Sequence, residues 1–336
     1  MDIFQKCVFW FVIFVLFFGA FHLFSSFYAA HCIYIATLKR KTKEQWGRDF
    51  RGESELQEKM FQIGEEWQRE NKEFGVEVHT VRDGLNLYGE YYNRGTDKAV
   101  LVLSGRTDTL KYGYFFAKPY WETGYNVLVI DSRAHGKSDG VYNTVGFEEG
   151  KDAIAWTELL LTQMNVNFVV FHGICIGAAA GTYAITSPDC PECVSGLVGE
   201  GMFIRFGESM RNHLIERKRL WFPVMQCIDF WMKKYTGHSM MKGPLDVADK
   251  MTKPILMLQS LEDKYSTPEN AEKLYKAFAS EDKKLVLFEK GGHSMVRINN
   301  MEKYDFEIKE FLRELEHKQD LTKRILIKGD LFYELH

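Results

Sequence analysis

The sequence predicts an α/β protein with a mostly parallel, doubly wound sheet, on three observations. Short apolar runs alternate with helical patterns along most of the chain. The runs are apolar at consecutive positions, as strands covered on both faces require. A hairpin pattern opens the series, and no internal repeat interrupts it.

The hairpin is read at 76–81 and 85–91, two alternating segments around the turn signal Arg82-Asp83-Gly84. The buried strands are expected at 99–103, 126–130, 168–171, 194–198, 255–258 and 284–288. Helices are expected at 114–123, 148–162, 178–186, 268–279 and 301–315. Residues 201–250 break the alternation. They are helical, rich in Phe, Trp and Met, and too long for a plain connection, so they read as a helical cap insertion. A length of 336 residues suits one large domain, here 76–315, with additions at both ends. The end segment 316–336 lies past the expected last helix and could add a strand, cover the domain or bind another copy.

Two segments precede the domain. From Cys7 to Leu38 there is no Asp, Glu, Lys or Arg. Such a run exceeds the roughly 20 residues needed to cross a bilayer. A cleaved signal peptide would have a shorter apolar core, and Tyr28-Ala29-Ala30 is a poor cleavage site. Residues 7–38 are therefore read as a single-pass transmembrane anchor. Lys39, Arg40, Lys41, Lys43, Arg48 and Arg51 follow it and only Lys6 precedes it, which places the globular part in the cytoplasm. Residues 39–75 form a charged helical linker with Leu56, Met60, Ile63 and Trp67 on one face.

The net charge of −3 and the absence of a basic stripe argue against nucleic-acid binding. Cys190-Pro-Glu-Cys193 is a CxxC pair, but no second ligand pair accompanies it, so it reads as two loop thiols rather than a metal or redox site. No G-x-G-x-x-G follows the first strands, and no cofactor is expected.

The candidate chemistry centres on Phe171-His172-Gly173-Ile174-Cys175-Ile176-Gly177-Ala178. A glycine two residues to either side of a nucleophile, between a strand and a helix, is the pattern of a nucleophile elbow. The turn is so tight that its flanks must lack bulk, and the helix N-terminus favours an anion at Cys175. Read alone, the same pattern also suits a glycine-rich crossover with an inert cysteine. Other segments add weight. Ser104-Gly105-Arg106 ends an earlier strand, Asp263 (with Glu262 competing) follows a later one, and Gly291-Gly292-His293-Ser294 follows the last.

On these residues, from 76 to 315, the chain resembles the α/β-hydrolase superfamily. Asp131-Ser132-Arg133-Ala134-His135-Gly136-Lys137-Ser138 resembles that family's D-x-R-x-x-G-x-S loop. Gly146-Phe147-Glu148-Glu149 with Asp152 resembles the G-x-x-E-x-x-D segment of its membrane-anchored, serine-aminopeptidase-like branch. The resemblance implies that Asp131, Arg133 and His135 are scaffold. It implies a triad of Cys175 as nucleophile, His293 as base and Asp263 as the acid that orients it. The N–H groups of Arg106 and Ile176 would form the oxyanion hole. Two departures stand out: Cys175 replaces the usual serine, and Ser104 replaces the usual histidine. The expected activity is hydrolysis of an ester, thioester or amide, with an apolar acyl substrate suggested by the cap's composition. Acyl transfer through a Cys175 thioester and a catalytically inactive membrane-bound homologue are the competing readings. Oligomeric state is not legible.

Overall fold

The computed structural model describes residues 2–40, 55–106 and 108–333, with side chains described as far as 319. Residues 41–54, which include Lys41, Lys43, Arg48 and Arg51, lie outside the described residues, as do 334–336 of the end segment.

The elements run α1 (Ile3–Leu38), α2 (Glu55–Glu70), β1 (Gly75–Arg82), β2 (Leu85–Tyr92), β3 (Lys98–Leu103), α3 (Leu110–Gly113), α4 (Lys118–Glu122), β4 (Asn126–Ile130), α5 (Phe147–Gln163), β5 (Phe168–Ile174), α6 (Ile176–Ile185) and β6 (Val194–Glu200). They continue with α7 (Phe206–Glu216), α8 (Val224–Thr236), β7 (Ile255–Ser260), α9 (Pro268–Ala277), β8 (Lys283–Phe288), α10 (Val296–Asn299) and α11 (Met301–Tyr333). Eight strands form one sheet in the order β1-β2-β4-β3-β5-β6-β7-β8. β1 and β2, and β2 and β4, pair antiparallel; the remaining pairs are parallel.

Successive strand side chains point to opposite faces, and the core divides accordingly. Val100, Val102, Val127, Val129, Val170 and Val198 enter one cluster with Phe115, Tyr120, Tyr304 and Ile308. Ala99, Leu101, Leu128, Ile130, Val169 and Phe171 enter the other with Trp156, Ala180 and Leu274. Both faces are covered, which is why these strands read as continuous apolar runs.

Four expectations are modified. The 114–123 helix is broken: a 3-10 turn at Tyr114–Phe116 precedes the short α4. In α2 the buried face is Gln57, Met60, Gly64 and Trp67, whereas Leu56 is exposed. The stripe is rotated because α2 packs on α3 and the 3-10 turn after it. Among its described residues the segment after 315 adds no strand; α11 runs unbroken through them to Tyr333.

The fourth concerns α1, which divides in two. From Ile3 to Phe24 its side chains are exposed. From Ser26 onward it is docked on α8. Phe27 meets Phe230 and Trp231, His31 Nε2 and the Tyr235 hydroxyl are 2.9 Å apart, and Tyr34 stacks on Tyr235. Ala30, Tyr34 and Leu38 are fully buried. The face of α8 that carries Phe230, Trp231 and Tyr235 is therefore turned to α1.

Candidate active site

The parallel strands β3, β5, β7 and β8 end at the same edge of the sheet, with β6 between β5 and β7, and the residues singled out above lie on the loops that leave them. Such loops at the carboxyl ends of a parallel sheet are where open α/β folds place ligands.

Cys175 sits between β5 and α6 at φ 53° and ψ −107°, a conformation that non-glycine residues rarely adopt. The Cys175 N–H donates to the Glu200 carbonyl at 2.9 Å, which ties the turn to the end of β6. A Cβ on Gly173 would lie 2.4 Å from the Ala178 nitrogen, and one on Gly177 would lie 1.9 Å from the Leu103 carbonyl oxygen. Both glycines are thus demanded by close backbone approach. Ile176 is the first residue of α6, so its N–H has no acceptor within the helix.

The His293 imidazole pairs with Asp263 on one side, and Cys175 lies near enough to act on its charge. Its Nδ1 is 2.7 Å from Asp263 Oδ2, which leaves Nε2 for the sulfur. The other carboxylate oxygen of Asp263 accepts the N–H groups of Tyr265 and Ser266 at 2.8 and 2.9 Å, fixing the acid from behind. Glu262 turns away and accepts the Gly291 N–H at 2.9 Å, so it braces the histidine loop without facing the imidazole. Burial opposes protonation of His293, but Cys175 and then Asp263 outweigh it and hold the imidazole well above its ordinary range.

The loop residues beneath are mutually bonded. Asp131 accepts the N–H groups of Leu110 and Lys137 at 2.8 Å each. The Arg133 guanidinium makes a two-pronged pair with Asp152 at 2.7 and 2.6 Å. Ser138 Oγ donates to the Asp131 carbonyl and accepts the Tyr88 N–H. The fully buried His135 lies 2.8 Å from the Arg133 carbonyl; burial lowers it to about 4, so it is neutral. None of these groups lines the Cys175 cavity.

That cavity, about 200 Å³, is lined by Gln57, Arg106, Asp108, Cys175, Phe206, Ser209, His213, Tyr265, His293 and Ser294. The lining is mostly polar, which departs from the apolar acyl site expected from the cap's composition. The reason is topological: Phe230 and Trp231 face α1, and Ile228 and Met232 are in the core. Only Phe206, Ser209 and His213 of α7 reach the cavity from the cap helices. His213 stacks on Tyr265 at 3.6 Å; burial, then Arg106 and His293, lower it to about 3.

Glu200 had no signal in the sequence beyond its place at a strand end. It is fully buried, accepts the Val296 N–H at 3.2 Å and the Tyr304 hydroxyl at 2.7 Å, and is raised by burial to about 7. Gln57 was equally hidden, because only the packing of α2 brings it to the site. Cys190 and Cys193 carry free thiols; burial pushes Cys190 up to about 11.

Residues 230–297, which include Asp263 and His293, match the family described as serine aminopeptidase, S33. The chain is 30% identical over 226 residues to the "uncharacterized protein YqkD" of Bacillus subtilis (strain 168), covering 65% of this chain and 72% of that protein. Among solved structures it is similar to the esterase Pf2001 of Pyrococcus furiosus, with a TM-score of 0.62 at 20% identity over 74% of this chain and 93% of that one. It is also similar to Est1E of Butyrivibrio proteoclasticus, solved with ferulic acid bound, with a TM-score of 0.57 at 18% identity over 71% of this chain and 99% of that one. With the strand order, the elbow and the YqkD match in hand, the chain belongs to the α/β-hydrolase superfamily, in one family with YqkD.

Proposed function

We propose that this chain is a membrane-anchored acyl hydrolase that acts through a covalent intermediate on Cys175. The observation that carries the reading is the single imidazole of His293, paired through Nδ1 with Asp263 and standing beside the elbow cysteine. The thiolate attacks a carbonyl, and the developing oxyanion is received by the N–H groups of Arg106 and Ile176. His293 protonates the leaving group, then activates water to release the acid. Asp263 keeps Nδ1 as the proton-bearing nitrogen. The polar lining favours a substrate with polar groups flanking the scissile ester, thioester or amide bond.

The membrane reading rests on the apolar, exposed stretch of α1, which has the length of a span. Cleavage after Ala30 would strip Ser26, Phe27 and Ala30 from their seat on the domain, so a retained anchor suits the packing better than a removed leader. The basic residues after Leu38 favour a cytoplasmic domain.

The test is a panel of p-nitrophenyl esters and acyl thioesters of rising length and polarity, run on the wild type, Cys175→Ser and Cys175→Ala. Activity in the wild type that Cys175→Ala lacks supports the mechanism; equal activity in both refutes it. The cysteine itself favours one second reading, acyl transfer, because a thioester intermediate passes readily to amines or thiols. An acylated acceptor in place of free acid would identify it.

A further inference from the structure

The cap carries an apolar tip away from the Cys175 cavity. α7 ends at Glu216, and the chain turns through Arg217-Lys218-Arg219-Leu220-Trp221-Phe222-Pro223 into α8. Leu220 is 70% exposed, Phe222 62% and Trp221 38%, the last held under the Arg211 guanidinium at 4.5 Å. Three consecutive large apolar side chains in water, preceded by three cations, is the composition of a segment that lies in a membrane interface.

The packing of α1 shows where this tip stands. Phe27 touches Phe230 and Trp231, His31 touches Trp231 and Tyr235, and Tyr34 touches Tyr235. Residue numbers rise together on the two helices, so α1 and α8 run parallel. From Phe230 back to Val224, the first residue of α8, is six residues, about 9 Å at 1.5 Å each. The same step back from Phe27 reaches Phe21, inside the exposed apolar part of α1. The turn before α8 extends further the same way.

We propose that the α7–α8 turn inserts Leu220, Trp221 and Phe222 into the leaflet that α1 enters, with Arg217, Lys218 and Arg219 on anionic headgroups. The proposal rests on the reading of α1 as a membrane span. It makes the cap a second membrane contact and fixes the domain's tilt. α7 then leads from the bilayer surface to the cavity wall, with His213 and Ser209 three and seven residues before its Glu216 end, about 4.5 and 10 Å along the axis.

The experiment is tryptophan quenching on the full chain in vesicles of phosphatidylcholine and phosphatidylglycerol with brominated acyl chains. The difference between wild type and Trp221→Phe isolates the tip; that between wild type and Trp10→Phe isolates the span. Both components are expected to lose at least about half of their emission relative to unbrominated vesicles. Replacing Arg217, Lys218 and Arg219 together by Gln should weaken quenching of Trp221 but not of Trp10. Quenching of Trp10 without Trp221 overturns the tip proposal and leaves the span standing. Quenching of neither overturns the span reading itself. An unquenched Trp221 in a cross-linked dimer that Leu220→Ser abolishes would make the tip a contact between copies, contrary to the proposal.

Discussion

At the scale of single residues, the site depends on two buried acids in different roles. Asp263 has both oxygens engaged, one by His293 and one by two backbone N–H groups. Asp263→Asn keeps the shape but favours the wrong imidazole tautomer, so kcat/KM should fall by about 10³- to 10⁴-fold while the melting temperature moves little. Glu200 lies behind the histidine loop and is raised from 4.5 to about 7. A carboxyl raised by folding binds a proton that the unfolded chain has already released. Stability from this group is therefore fully present below pH 4.5 and is lost as pH rises toward 7. The difference amounts to about 3 kcal/mol. Glu200→Gln should flatten this part of the pH dependence, which denaturant titrations across that window would measure. An unchanged slope would remove Glu200 from the account.

At the scale of elements, the elbow is a packing requirement before it is a catalytic device. Gly177 approaches the end of β3 so closely that Gly177→Ala should cost at least about 2 kcal/mol and disturb Cys175 as well. Gly292 has open space where a Cβ would point, and Gly292→Ala should leave stability within about 0.5 kcal/mol of wild type. Thermal melts of the two variants make the comparison. The docked half of α1 is a core element. Tyr34→Ala should destabilise the domain by about 3–5 kcal/mol in detergent, an effect that a free tether would not produce.

These elements also show what could be read in advance. The central strands were legible because burial on both faces writes apolar residues at consecutive positions, whereas β8, expected at 284–288 as a buried strand, lies at the sheet edge with Lys284 and Leu287 exposed. Cys175, Asp263 and His293 were legible because the elbow needs glycines at fixed offsets and the other two follow strand ends. The pocket wall was not, because Gln57, Ser209 and His213 reach it from helices whose orientation only tertiary packing decides. The face of α2 was misplaced for the same reason, since Gln57 rather than Leu56 turns inward. The apolar cap suggested an apolar substrate because composition does not tell which of its side chains face α1 or the core rather than the cavity.

At the scale of the whole molecule, α1, α8 and the pocket helix α7 form one continuous arrangement from the apolar stretch to the sheet. On the proposed reading of α1 as a span, a domain held in this way would sit at a fixed place relative to the bilayer. In sealed right-side-out vesicles, the proposed orientation predicts that added protease leaves the domain intact until detergent is supplied. The central claim, however, concerns one sulfur atom. It is tested most directly by stopping the reaction of the full chain with an activated ester in acid and mapping the acyl group by mass spectrometry. The account predicts one acyl group on the peptide bearing Cys175, lost on further incubation and absent from His293→Ala. Turnover with no acylation of Cys175, or an acyl group carried on another residue, would contradict it.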